Sequence, residues 1–140
     1  VQRKEMMRRV FAIVIAMFAL SNFALADGHV KRIISTGTTG LGNDIVYPEG
    51  KAKVTAFEFT VPVGGPVTPH SHSFPVLIIM QEGEATITYE DGQVQVYRAG
   101  EAFIEDVGII HSSENTGTVT LRALVVAIGV EGQKILTPAQ

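Results

Sequence analysis

The sequence predicts an all-β fold, and three observations carry that prediction. Apolar residues recur in short runs that either alternate with polar ones or continue for about five positions, the two patterns of half-buried and fully buried strands. Glycine-containing turns separate the runs. Beyond residue 26 no stretch carries a credible helical period. Many short strands joined by such turns point to a sandwich or barrel.

The elements follow in chain order. Val54 to Val63 alternates, with Phe57, Phe59, Val61 and Val63 on one face. Val76 to Met80 is continuously apolar and short, which fits a strand buried on both faces. Ala85 to Tyr89 and Gln93 to Arg98 flank Glu90-Asp91-Gly92, and Asp-Gly between alternating runs is a strong hairpin signal. Phe103 to Glu105 and Val119 to Ile128 complete the set. Ser35 to Asn43, rich in Gly, Thr and Ser, reads as a surface loop, with a lid over the barrel mouth as the functional alternative. Thr137-Pro138-Ala139-Gln140 reads as a polar tail. These boundaries divide the chain into a leader over 1–26, a strand and loop region over 27–53, and a barrel over 54–137.

Three of the four histidines form a pattern that can build a metal site. His70 and His72 alternate, so on an extended strand both imidazoles share a face. His111 follows the glycine-containing turn at Gly108 and precedes a polar segment, where the end of a second strand would bring it alongside the pair. Neutral imidazole suits iron, manganese, zinc, nickel and copper to differing degrees, and three such ligands leave positions open for water or substrate.

The spacing resembles the two motifs of the cupin superfamily. Gly64, His70, His72 and Gly83 fall on the first motif, and Gly100, Gly108, His111 and Asn115 on the second. The resemblance implies a double-stranded β-helix, the cupin jelly roll, and a metal held by His70, His72 and His111. Two positions depart from it. Val76 stands where cupins usually carry a glutamate ligand, and Asp106 replaces the proline of the second motif. What carries over is a three-histidine site, as in some cupin dioxygenases, with an empty binding shell as the alternative. Neutral ligands leave a divalent ion its full charge, which favours a carboxylate, enolate or phenolate partner. Glu105 and Asp106 are candidates for a late acidic ligand or general base, although charges beside a turn are more often solvated. Phe57, Phe59, Met80 and Phe103 are either pocket lining or core.

The N-terminus speaks to location. Met6-Met7-Arg8-Arg9, the uncharged run Val10 to Leu20 and the closing Ala24-Leu25-Ala26 have the order of a secretory signal. Cleavage is expected after Ala26, giving a periplasmic or secreted protein with no stable membrane span. Arg8-Arg9-Val10-Phe11 partly fits a twin-arginine export signal, but its flanks favour the general route. A new terminus at Asp27-Gly28-His29 would offer an amine, two amides and an imidazole to square-planar Cu(II) or Ni(II), resembling the amino-terminal motif of serum albumin.

Composition limits the remainder. The net charge of −3 and the lack of a basic stripe argue against nucleic acid. Without cysteine there is neither a disulfide nor a thiolate metal site. Three functions are compatible with these residues. One is a dioxygenase-type enzyme, with a lyase or isomerase as its relative, using one divalent ion, Fe(II) favoured over Mn, Zn, Ni or Cu, on a small anionic molecule. The second is a non-catalytic binder of metal or small ligand. The third is an empty interaction barrel. Cupins commonly pair, so a homodimer is expected.

Overall fold

The computed structural model describes residues 28–139. The expected leader, its cleavage site and Asp27 lie outside them. The described chain is all-β, with nine strands: β1 (Ala52–Val61), β2 (Pro66–Ser71), β3 (Val76–Glu82), β4 (Glu84–Tyr89), β5 (Val94–Arg98), β6 (Ala102–Glu105), β7 (His111–Asn115), β8 (Leu121–Val130) and β9 (Thr137–Pro138). They form two antiparallel sheets, ordered β1-β8-β3-β6 and β5-β4-β7-β2-β9. Among the described residues no helix is long and apolar enough to cross a membrane.

Side-chain alternation places the core between the sheets. β8 buries Leu121, Ala123, Val125 and Ala127, while the residues between them are half-buried or exposed. β3 buries Val76, Ile78 and Met80 and leaves Leu77 and Ile79 half-buried, so one face is sealed and the other partly covered, rather than both sealed as its apolar run suggests. From the other sheet, Ala85, Ile87 and Tyr89 of β4 meet them. Burial of a side chain such as Ile87 contributes roughly 1.5–3 kcal/mol.

The hairpin falls where Asp91-Gly92 places it. Gly92 donates to the Tyr89 carbonyl at 3.0 Å, and the Asp91 side chain accepts from the Gln93 amide at 3.0 Å. The motif glycine Gly83 has a steric reason. It turns β3 into β4 with φ of 79°, and a Cβ there would stand 3.0 Å from the Leu121 Cα.

Three strands carry no apolar period in the sequence. β2 carries two prolines and β7 reads His-Ser-Ser-Glu-Asn, so neither shows an apolar pattern, yet they pair with each other inside the five-stranded sheet. Tertiary pairing overrides weak local preference here. The supposed polar tail is β9, which pairs Pro138 with His70 and Thr137 with Ser71, and Ala139 donates to the Pro69 carbonyl at 3.0 Å.

The Ser35–Asn43 loop is held down rather than free. Thr38 bridges Asp44, and the Asp106 carboxylate accepts from Thr39 Oγ1 at 2.6 Å, Asn43 Nδ2 at 2.7 Å and the Leu41 amide at 3.4 Å. Asp106 is 1% exposed. The residue in the proline's place is therefore a staple for the loop, not a solvated charge.

Candidate metal centre

The two motif segments meet in register. His70 of β2 lies directly across from His111 of β7. His72 follows β2 and forms a parallel bridge with Val107. Gly108 makes this junction possible: with φ of 75° it turns the chain so that its amide donates to the His72 carbonyl at 2.8 Å. All three imidazoles are buried, their ring centroids lie 4.6–5.3 Å apart, and one donor atom from each falls within 4.8 Å of the others.

Backbone carbonyls fix the protons. His70 Nδ1 lies 2.8 Å from the Thr68 carbonyl, His72 Nδ1 2.6 Å from that of Ile135, and His111 Nδ1 3.1 Å from that of Ile109. A carbonyl only accepts, so each Nδ1 donates a proton and each Nε2 is left as the metal-binding atom. His72 Nε2 and His111 Nε2 are buried without an aligned hydrogen bond. Burial pushes the His70 imidazole towards its neutral form, against the Thr68 contact.

Glu105 lies against two of the three histidines. One carboxylate oxygen lies 2.9 Å from His72 Nε2 and the other 3.3 Å from His111 Nε2, close electrostatic contacts that lie off the hydrogen-bond axis. The side chain is 12% exposed. Burial alone would raise its pKa, but His111 and His72 outweigh burial and hold it down to about 2. Burial opposes protonation of His111, and Glu105 reverses that and draws its pKa up. Without metal, the centre therefore keeps an ionised carboxylate against imidazoles that share its field.

His70 and His72 open onto an apolar cavity of about 270 Å³. Phe57, Phe59, Ile78 and Val125 form its walls with Ile135 and Leu136, while Ser113 is a polar group beside His70, His72 and Glu105. No lysine or arginine lines it among the described residues. Phe57 and Phe59 are thus pocket lining, whereas Met80 and Phe103 are core. A larger cavity of about 330 Å³ lies beyond Asp106, under Thr39 and Asn43 to Pro48, and touches no histidine. The 35–43 loop borders that one, so it is not a lid over the imidazoles.

The motif asparagine has a structural part. Asn115 Nδ2 donates to the Val61 carbonyl at 2.9 Å and the Val119 carbonyl at 2.8 Å, and its Oδ1 accepts from the Gly117 amide at 3.0 Å. Ile135 is the participant that the sequence reading missed. Its carbonyl orients His72 and its side chain lines the cavity, and the apolar pair Ile135-Leu136 ahead of the tail was the available signal.

Two antiparallel sheets closed around a buried trio of histidines define a small jelly-roll barrel of the cupin type. A family model for the cupin domain matches residues 57–127, and the chain belongs to that family. Solved structures share the fold. The DMSP lyase DddQ of Ruegeria pomeroyi is 19% identical with a TM-score of 0.53, over 61% of this chain and 43% of the lyase. An uncharacterized conserved protein with a double-stranded β-helix domain from Klebsiella pneumoniae is 20% identical with a TM-score of 0.51, over 86% and 93%. The Lactobacillus farciminis oxalate decarboxylase in its formate complex is 17% identical with a TM-score of 0.53, over 61% and 26%. At these identities the likeness is one of fold. The chain spans less than half the length of the lyase and about a quarter of the decarboxylase. Comparison with curated proteins gives no significant match.

Proposed function

We propose that this protein is an exported cupin that binds one divalent metal ion through His70, His72 and His111 and acts on a small anionic molecule, with dioxygenase-type chemistry the favoured reaction. One observation carries the metal reading. Three backbone carbonyls hold the three imidazoles in the same tautomer, which leaves each Nε2 as the binding atom, and one donor atom from each residue lies within 4.8 Å of the others. Buried nitrogens without aligned partners are costly unless something binds them. A divalent ion fits that need. Bound there, it supplies Lewis-acid charge and, as Fe(II), redox chemistry with O₂.

The chain's own residues set what enters. The walls from Phe57 to Leu136 exclude water and favour an apolar body, while the cavity's lack of lysine and arginine leaves the metal end to hold the anionic head. A carboxylate, enolate or phenolate on a compact apolar frame meets both demands. The named substrates of the lyase and the decarboxylase that share this fold are small molecules too, which agrees with a small-molecule ligand here. Export through the expected 1–26 leader and pairing of two copies belong to the same proposal, and mass spectrometry and sizing of the exported protein test them.

A second reading, capture of a metal or small ligand without turnover, has an observation in its favour. Beyond the histidines, Glu105 and Ser113, the cavity wall is apolar and offers few groups for proton transfer. Elemental analysis of protein purified without chelator, beside His72→Ala, tests metal binding: about one ion per chain, lost in the variant, is expected. Equal content in both proteins would overturn the assignment. Oxygen consumption with phenols, diketones and carboxylates then separates turnover from capture.

A further inference from the structure

Val76 is fully buried at the place where a metal-binding cupin motif carries its glutamate, and valine has no donor atom. In the pairing of β3 with β6, the residue directly across from Val76 is Glu105. Directly opposed residues of antiparallel strands project to one face of the sheet with their Cβ atoms about 4.5–5.5 Å apart. A carboxylate at 105 therefore enters the cavity that one at 76 would enter, from one strand further over.

Resting on the metal-binding reading above, we propose that Glu105 is the fourth ligand of the centre and supplies from the neighbouring strand the carboxylate that position 76 lacks. Its oxygens stand 2.9 Å and 3.3 Å from His72 Nε2 and His111 Nε2. Donor atoms bound at about 2.1 Å to one ion lie roughly 3.0 Å apart at right angles and roughly 3.4 Å apart at tetrahedral angles. These two separations, to His72 and His111, match donors that share an ion. The misalignment of these contacts as hydrogen bonds points the same way, because a hydrogen bond needs the oxygen along the N–H axis whereas shared coordination does not. Among the described residues no lysine or arginine pairs with Glu105; its ion-pair partners are the two histidines. A carboxylate ligand also lowers the charge of the loaded centre from +2 to +1, so a single negative charge on the substrate neutralises it.

The test is calorimetric titration of the metal-free full chain with Mn²⁺, and Co²⁺ absorption as a report on coordination. Wild type, Glu105→Gln, Glu105→Val, the exchange Val76→Glu/Glu105→Val, and His111→Ala are compared. Glu105→Gln is expected to bind Mn²⁺ more than about 100-fold more weakly than wild type and to change the Co²⁺ spectrum, because losing a direct ligand exceeds the 10–100-fold loss typical of an outer-shell partner. The exchange variant is expected to return to within about tenfold of wild type. Glu105→Gln binding within about threefold of wild type, with His111→Ala abolished, would overturn the fourth ligand and leave the three-histidine reading intact. An exchange variant no better than Glu105→Val alone would also count against it. Wild type that binds no metal would remove both readings together.

Discussion

Glu105 and Asp106 are neighbours in the chain and carry the same charge, yet they work on opposite sides of the end of β6. The Glu105 carboxylate faces the histidines and the small apolar cavity, whereas the Asp106 carboxylate faces the loop from Thr39 to Asn43 and the larger cavity beyond it. Both are withdrawn from water. The difference lies in what meets each of them. Glu105 meets imidazoles whose remaining nitrogens have no aligned partner, an arrangement open to an ion. Asp106 meets hydroxyl, amide and backbone donors that satisfy it fully, an arrangement closed to one. Alternation along a strand thus turns two adjacent acids into a chemical group and a structural one.

The contrast breaks most sharply at the imidazole that Glu105 faces. His111→Ala should weaken metal binding by at least about 1,000-fold, close to 4 kcal/mol, and equilibrium dialysis against Mn²⁺ reads it directly. Binding within tenfold of wild type would mean that the cluster is not the metal's site. On the other side, Asp106→Ala strips three hydrogen bonds from buried or half-buried donors and should lower stability by about 3 kcal/mol in urea. Its Mn²⁺ affinity should stay within about threefold of wild type, and a large fall would show that the two sides are coupled.

A smaller effect is expected from truncation after Gln133, which removes the Ile135 carbonyl from His72 and one wall of the cavity. A loss of 10–100-fold in Mn²⁺ affinity is the range for an outer-shell partner. The smallest calibrates the others. Lys51 and Glu131 pair at 3.0 Å with side chains 79% and 55% exposed, so Lys51→Ala should cost less than about 0.5 kcal/mol by the same urea measurement. A larger value would mean that charge alone, rather than burial, sets the importance of carboxylates here.

The histidine side of the centre was legible in the sequence because its signal is local. His-x-His states its own geometry, and the glycines around it mark turns that bring His111 across from His70. The hairpin at Asp91-Gly92 and the apolar strands β3 and β8 were legible for the same reason. The carboxylate side was not. The partner of Val76 depends on the register of β3 against β6, a pairing that neither strand encodes by itself, so Glu105 could be named only as a candidate. The extents of β2 and β7, and β9 altogether, escaped because prolines and polar residues hide the period that marks a strand, and with β9 went the part of Ile135. Asp106 was equally opaque: a lone acid beside a turn reads as solvated until the loop that it captures is seen.

The contact between the Ile135 carbonyl and His72 also places the centre in time. A chain leaves the ribosome N-terminus first, and every other residue of the cluster, from His70 to His111, precedes Ile135. A growing chain can therefore present all three imidazoles before it can orient the second of them. The orientation of His72 is therefore complete only once the segment carrying Ile135, ahead of β9, has docked against the barrel.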